Sequence, residues 1–224
     1  PVEKIYDIIE DLAFKGCNTL LVWYDMHHYD SIDQPESVEM IKRLKEILHY
    51  AQRIGIKAAM LMIANEAFAS SPEHLRANWH VQGRYKKELC GHYNVEICPS
   101  KKGGVDEIIR SRRQVLEAFS DIQLSYIVYW PYDQGGCTCK DCEPWGVNGF
   151  LKIYPHFCSL VKEIMPQTEI ILSTWLFDHF SDGEWEEFCN LIARKELDSV
   201  SYIMSFSTMV MCLNVLGNRE FLKK

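Results

Sequence analysis

The sequence predicts an α/β protein of the (β/α)8 TIM-barrel type, and three observations carry that expectation. Apolar runs dense enough for parallel strands buried on both faces alternate with amphipathic helix patterns along the 224 residues, and no hairpin signature interrupts them. Polar and aromatic residues stand at the ends of the apolar runs, as in a barrel whose site is assembled from all its strand ends. No Gly-x-Gly-x-x-Gly follows any run, which weakens the main rival, a Rossmann-type sheet.

In chain order, residues 3–15 place Ile5, Ile8, Ile9, Leu12 and Ala13 at helical spacing, and Gly16 ends the pattern. Asn18 to Tyr24 reads as a buried strand followed by Asp25, His27 and His28. Pro35 opens a helix that ends before Gly55, and Ile56 to Ile63 is a second strand with Asn65 and Glu66 at its end. Residues 67–92 are polar and irregular, carry Trp79, His80, Arg84 and His92, and are too long for a tight connection, so an inserted functional loop is expected there. Tyr93 to Ile97 is a short strand candidate before Cys98-Pro99-Ser100, and Gly103-Gly104 precedes a helix from Val105 to Phe119. Strands then follow at Ser125 to Trp130, Glu169 to Trp175 and Val200 to Phe206, with helices from Phe150 to Ile164 and from Glu184 to Arg194. The tail to Lys224 has no clear pattern. Six strand patterns are two short of a closed barrel, and the chain starts without Met and inside an element. One domain over residues 1–224, an incomplete barrel, is therefore expected.

Composition narrows the function classes. A hydrophobic share of 47% and a charged share of 25% are ordinary for a globular protein, and a net charge of −7 leaves no general nucleic-acid footprint. No apolar run is long enough for a bilayer, so no membrane partner is expected. The N-terminal stretch is an acidic amphipathic helix, not a signal peptide; this leaves the compartment open, a periplasmic or secreted full-length protein included. Nine cysteines are many, but the chain is too large for a small disulfide framework. Cys17, Cys158, Cys189 and Cys212 sit in apolar patterns and read as core.

The chain is organised around Tyr126 to Phe150, YIVYWPYDQGGCTCKDCEPWGVNGF. An apolar strand breaks at Pro131, presents Tyr132, Asp133 and Gln134, turns through Gly135-Gly136, and continues into Cys137, Cys139 and Cys142 before the next helix. Cys-x-Cys-x-x-Cys in a Gly-rich loop can place three thiolates around one zinc ion, with Cys98, Cys90, His92 or His156 as fourth ligand. Three free thiols, or one disulfide and a spare, is the competing reading. A thiolate-rich site points to a structural rather than a catalytic ion. The acids at strand ends are Asp25, Glu66, Asp133 and Asp178, and aromatics gather with them, Trp130, Tyr132 and Trp175 among others. Glycoside hydrolysis needs two facing carboxyl groups, or one plus an acetamido group of the substrate, and sugars offer apolar faces to aromatic rings. The plainer reading makes the acids helix N-caps and the aromatics core. The basic runs Lys101-Lys102 and Arg110 to Arg113 read as solvated faces. No Gly-x-Ser-x-Gly elbow supports a serine nucleophile.

With VEICPS upstream, the stretch YWPYDQGGCTCKDCEPWGVNGF resembles barrel domains of bacterial proteins related to family 20 glycoside hydrolases, the β-N-acetylhexosaminidases, in members with a Gly-Cys-x-Cys-x-x-Cys loop. The likeness is specific over residues 93–150 and loose elsewhere. It implies a carbohydrate substrate or ligand, and a catalytic pair in which an Asp orients the substrate's acetamido group and a Glu is the general acid. The matching positions are Asp133 and Gln134, and a Gln amide cannot deliver a proton as a carboxylic acid does. Trp130, Tyr132 and Trp175 would wall the sugar pocket, with Asp25, Glu66 and Asp178 as further substrate contacts. A non-catalytic sugar-binding or scaffold domain is the alternative. A metal-dependent barrel enzyme using His27, Glu66 and His92 is a more distant one.

Overall fold

A computed structural model describes residues 3–78, 94–132, 135–197 and 200–205. Its order is α1 (Glu3–Phe14), β1 (Thr19–Trp23), α2 (Pro35–Arg53), β2 (Lys57–Ile63), α3 (Gly104–Ala118), β3 (Tyr126–Trp130), α4 (Leu151–Ile164), β4 (Glu169–Ser173), α5 (Glu184–Ala193) and β5 (Tyr202–Met204). The five strands form one sheet in the order β1-β2-β3-β4-β5. Every neighbouring pair is parallel, with Thr19 opposite Lys57, Ala59 opposite Tyr126, Tyr126 opposite Glu169 and Ile171 opposite Tyr202. Parallel strands laid down in chain order, with helices between them, are successive units of a TIM-type α/β fold.

The sheet forms where the sequence is apolar on both faces. In β2, Ala58, Ala59, Met60, Met62 and Ile63 are all buried. Small Ala58 and Ala59 leave room for the helices that pack over them. Tyr129 of β3 is fully buried, stacked on Phe150 and Phe157 at 4.6 Å each, and this joins the central strand to α4. α1 packs on α2 through Ile9, Ile47, Ala51 and Ile56, with Tyr6 stacked on Tyr50 at 3.9 Å. β5 lies at one edge with Tyr202, Ile203 and Met204 exposed.

Two expectations are corrected. The segment before Cys98 does not join the sheet: Ile97 makes an isolated antiparallel bridge to Arg76. Its backbone is instead tied crosswise, Ala77 N–H to the Glu96 carbonyl at 2.7 Å and Cys98 N–H to the Leu75 carbonyl at 2.8 Å, which turns Cys98 toward the cysteine loop. Cys17, expected in the core, is exposed, because α1 has ended and β1 has not begun. Tyr93, Trp79, His80, Arg84, Cys90, His92 and Cys212 lie outside the described residues, as do Asp133 and Gln134. Among the described residues no helix is long and apolar enough to cross a membrane.

Candidate functional site at the strand ends

The C-terminal ends of the strands carry three linked groups. The first follows β1 and β2. His27 lies in a short 3-10 turn, Met26–His28, and its Nδ1 is 2.5 Å from Asp25 Oδ1 and 3.2 Å from Glu66 Oε1. Asp25 Oδ2 is 2.9 Å from Nδ1 of the exposed His28. Glu66 is buried and accepts a hydrogen bond from Trp23 Nε1 at 3.3 Å. Burial opposes a charge on His27, but the hydrogen bonds and charges of Asp25 and Glu66 outweigh it and raise the imidazole from its ordinary 6.5 to about 9. The cluster is therefore a held imidazolium between two carboxyl groups at neutral pH.

Arg112 supports that cluster from beneath. It was expected on a solvated face, yet it is 1% exposed. Its guanidinium donates to the carbonyls of Ile63 and of Glu66, the latter at 2.8 Å, and lies 3.9 Å from Glu66 Oε2. The signal was present in the sequence: Arg112 follows Ile108 by four residues, on the same buried stripe of α3 as Val115 and Leu116.

The second group follows β3. Cys98, Cys137, Cys139 and Cys142 bring their sulfurs within 4.8 Å of one another, and Cys98, Cys137 and Cys142 are buried. Cys98 Sγ is 3.8 Å from Cys139 Sγ and 3.7 Å from Cys142 Sγ. Four sulfurs held ~2.3 Å from one tetrahedral ion are ~3.8 Å apart, whereas a disulfide closes to ~2.05 Å. The cluster is thus at metal-binding distance and unbridged. Of the four candidates for a further ligand, the fold brings in Cys98, while His156 is exposed on α4. Hydrogen bonds from Cys137 and Cys142 lower the Cys98 thiol, while the hydrogen bond between Cys142 and Cys137, then that to Cys98, and burial push Cys142 up.

The loop carrying these sulfurs is fitted tightly to β2. A Cβ on Gly135 would meet Ile63 Cγ2 at 2.6 Å, and Gly136 takes φ 125°, so both positions need glycine. Fully buried Asn65 accepts the Gly136 N–H at 2.9 Å and donates to the Gly136 carbonyl at 2.9 Å.

The third group spans β3, β4 and α5. Trp130 and Trp175 stand at the ends of adjacent strands with ring centroids 5.3 Å apart and planes at 31°, both half-buried. Tyr132, expected in the wall of a sugar pocket, is instead 1% exposed and donates through its hydroxyl to Glu184 Oε1 at 2.5 Å. Asp178, expected to face substrate, is occupied at the start of α5, where Oδ1 accepts the backbone N–H groups of Glu184 at 2.6 Å and Trp185 at 3.3 Å. Asp178 thus satisfies the first amides of α5 from six residues upstream of Glu184, whereas the N-cap position itself, where the plainer reading would put an acid, is Gly183. Leu176 and Asp178 both adopt left-handed backbone, φ 60° and 57°, so the turn after β4 is held by its contacts. Glu184 itself was missed. It is fully buried and also accepts the Gly146 N–H at 2.5 Å and the Asp178 N–H at 2.9 Å. Burial raises its carboxyl from 4.5 to about 7, against the lowering effect of those hydrogen bonds.

No protein-family model matches this sequence, and no curated protein matches it. Solved structures do. A family GH13_31 enzyme superposes with a TM-score of 0.55 at 10% identity, over 99% of this chain and 52% of its own. The GH20 β-N-acetylhexosaminidase from Streptomyces coelicolor A3(2) gives 0.53 at 12% identity, over 92% and 45%. A gamma-CGTase from alkalophilic Bacillus clarkii gives 0.51 at 11% identity, over 97% and 35%. The chain thus spans between about a third and a half of the length of these structures. At such identities the likeness is one of fold, a TIM-type α/β fold as found in these glycoside hydrolases and related enzymes.

Proposed function

We propose that this chain is a glycoside hydrolase-like domain that acts on or binds N-acetylhexosamine-containing glycans. The observation that carries the reading is the Trp130–Trp175 pair at the ends of β3 and β4, with the Asp25–His27–Glu66 cluster at the ends of the neighbouring strands. Indole faces suit the apolar faces of pyranose rings, and the partly exposed Asp25 carboxyl, fixed by the buried His27 and Glu66 behind it, suits their hydroxyls. A TIM-type fold shared with a β-N-acetylhexosaminidase supports the substrate class. In this reading Asp133 holds the acetamido group and Gln134 stands where the general acid belongs. A non-catalytic sugar-binding role is the second reading, and the missing proton at Gln134 favours it.

We also propose zinc as the ion of the cysteine cluster. Four thiolates at tetrahedral spacing leave no open coordination position, so the ion supplies stability and loop position, not chemistry on substrate.

The test compares the parent with Gln134→Glu, in binding of N-acetylglucosamine and in turnover of an aryl N-acetylhexosaminide. General acid catalysis contributes about 10²–10⁴-fold, so the parent should bind but barely turn over, and Gln134→Glu should gain within that range. Brisk turnover by the parent, unchanged in the variant, would place the acid elsewhere. Loss of binding in both would end the substrate class.

A further inference from the structure

Asn65 is hydrogen-bonded to both limbs of the cysteine cluster. On one side its Nδ2 donates to the Ile97 carbonyl at 3.0 Å, and its own carbonyl accepts the Ile97 N–H at 2.9 Å. On the other side it exchanges the two hydrogen bonds with Gly136. Ile97 precedes Cys98, and Gly136 precedes Cys137. The backbones just upstream of two of the four sulfurs are therefore pinned to one buried amide, and the sulfurs converge beyond it. The residue after Asn65 is Glu66, whose carboxyl group reaches His27 and Trp23.

We infer that a metal ion held by Cys98, Cys137, Cys139 and Cys142 forms one bracket with Asn65, and that occupancy of the metal site sets the position of Glu66 and so of His27 and Asp25. The inference rests on the metal reading above and is independent of the glycan reading.

The physical argument is a closed ring of contacts: Asn65, Gly136, Cys137, the ion, Cys98, Ile97 and back to Asn65. An ion bound to four thiolates holds the two limbs together strongly. Without it, four sulfurs in van der Waals contact offer only weak S–H hydrogen bonds, and any second thiolate is repelled by the first. The loop is then held only by neutral hydrogen bonds: those of Asn65 with Gly136, that of the Thr138 N–H with the Asn78 carbonyl at 2.8 Å, and that of the Ser100 hydroxyl with the Asp141 carbonyl at 3.2 Å. If Gly136 moves, the fully buried Asn65 amide loses its two hydrogen bonds to that residue. A buried amide without partners is unfavourable, so the end of β2 must rearrange to satisfy it. Glu66 is the next residue on that backbone, and its carbonyl and carboxyl contacts move with it. The cysteine site after β3 is thus linked to the cluster after β1 and β2 by the single backbone step from Asn65 to Glu66, just beyond the end of β2.

The experiment uses the protein as purified, the chelator-stripped protein and the zinc-reloaded protein. Metal content is read by mass spectrometry, amide exchange at Ile97 and Gly136 by hydrogen–deuterium exchange, and the His27 ring by NMR. One ion per chain is expected. Stripping should speed exchange at the two amides by about tenfold or more, as loss of two to three net hydrogen bonds implies, and should shift the His27 ring signals. Zinc should restore both. Asn65→Ala with zinc still bound should shift the His27 signals in the same direction. If Asn65→Ala does not fold, Cys139→Ser, at the least buried of the four ligands, takes its place and should behave as the stripped protein. A folded protein that binds no metal, or metal removal that leaves exchange and the His27 ring unchanged, overturns the inference. So does Asn65→Ala that keeps zinc and leaves the ring unmoved. Binding of N-acetylglucosamine by the zinc-loaded protein is read separately, and its absence would overturn the glycan reading alone.

Discussion

Asp178 and Glu184 hold each other's backbones: Asp178 Oδ1 accepts the Glu184 N–H at 2.6 Å, and Glu184 Oε2 accepts the Asp178 N–H at 2.9 Å. The other oxygen of Glu184 takes the Tyr132 hydroxyl and the Gly146 N–H. One carboxyl group thus joins the end of β3, the exit of the cysteine loop and the entry to α5. Because it is fully buried, the arrangement is sensitive to its charge.

Glu184 should make stability fall as pH rises through neutrality. Its folded value of about 7 lies above the ordinary 4.5, so the folded state holds a proton that the unfolded state has released. Its contribution is fully present below pH 4.5 and is lost as pH rises through 7. A shift of this size corresponds to about 3 kcal/mol at full extent. Thermal unfolding followed from pH 4.5 to 7 should show the decline, and Glu184→Gln should flatten it while lowering the midpoint at acid pH.

His27 should act in a higher window. Its folded value of about 9 exceeds the ordinary 6.5, so the stabilisation is complete below 6.5 and disappears as pH rises through 9. An NMR titration should place the His27 midpoint near 9, and Glu66→Gln should lower it. A midpoint at 6.5 would show that Asp25 and Glu66 do not hold the proton.

The alternation of strands and helices was legible because parallel strands such as β2, covered on both faces, are written in nearly unbroken apolar residues. Part of the chemistry was legible too. Three cysteines in one Gly-rich loop announce convergence, and Cys98 could be named as one partner among several. Choosing it required the crosswise tie of residues 96–98 to residues 75–77, a contact between segments that no local pattern records. Glu184 was hidden for a similar reason: an acid in the first turn of a helix is ordinary on local grounds. Its burial depends on Tyr132 and Gly146 arriving from another part of the chain. Arg112 was misread for the opposite reason. Its neighbours Arg110 and Arg113 gave it the look of a charged run, while the helical period already placed it on the buried stripe with Ile108 and Val115.

Arg112 should be costly to remove. It is a buried cation that donates to two carbonyls and faces the Glu66 carboxyl, and removing one partner of such a group typically costs about 3–5 kcal/mol. Arg112→Met should lose stability on that scale in denaturant unfolding. Arg112→Lys should recover only part of it, since one guanidinium Nη serves both carbonyls while the other faces Met26 Sδ and the Glu66 carboxyl, and a single ammonium nitrogen cannot occupy both positions. Equal stability of Arg112→Lys and the parent would mean that charge alone matters here.

Gly104→Ala gives a test in which local propensity and packing predict opposite signs. Gly104 is the first residue of α3, and replacing a helical glycine by alanine ordinarily stabilises by about 0.5–1 kcal/mol. Here an added Cβ would lie 2.0 Å from the Cys98 carbonyl oxygen and 3.3 Å from Pro99 Cα. Those are backbone atoms, so no side-chain rotation relieves the clash. Either α3 or the Cys98 segment must move, and overpacking of this kind costs about 1–3 kcal/mol. Because Cys98 is one of the four clustered cysteines, the displacement should also reach the cysteine site. Gly104→Ala should therefore unfold at a lower temperature than the parent and surrender its metal to a competing chelator more readily. Gly55→Ala is the control: its Cβ would meet nothing within 4 Å, although φ 85° there is unfavourable for alanine. It should lower stability and leave metal retention unchanged. If the two variants lose metal alike, the contact between α3 and Cys98 has no special bearing on the cluster.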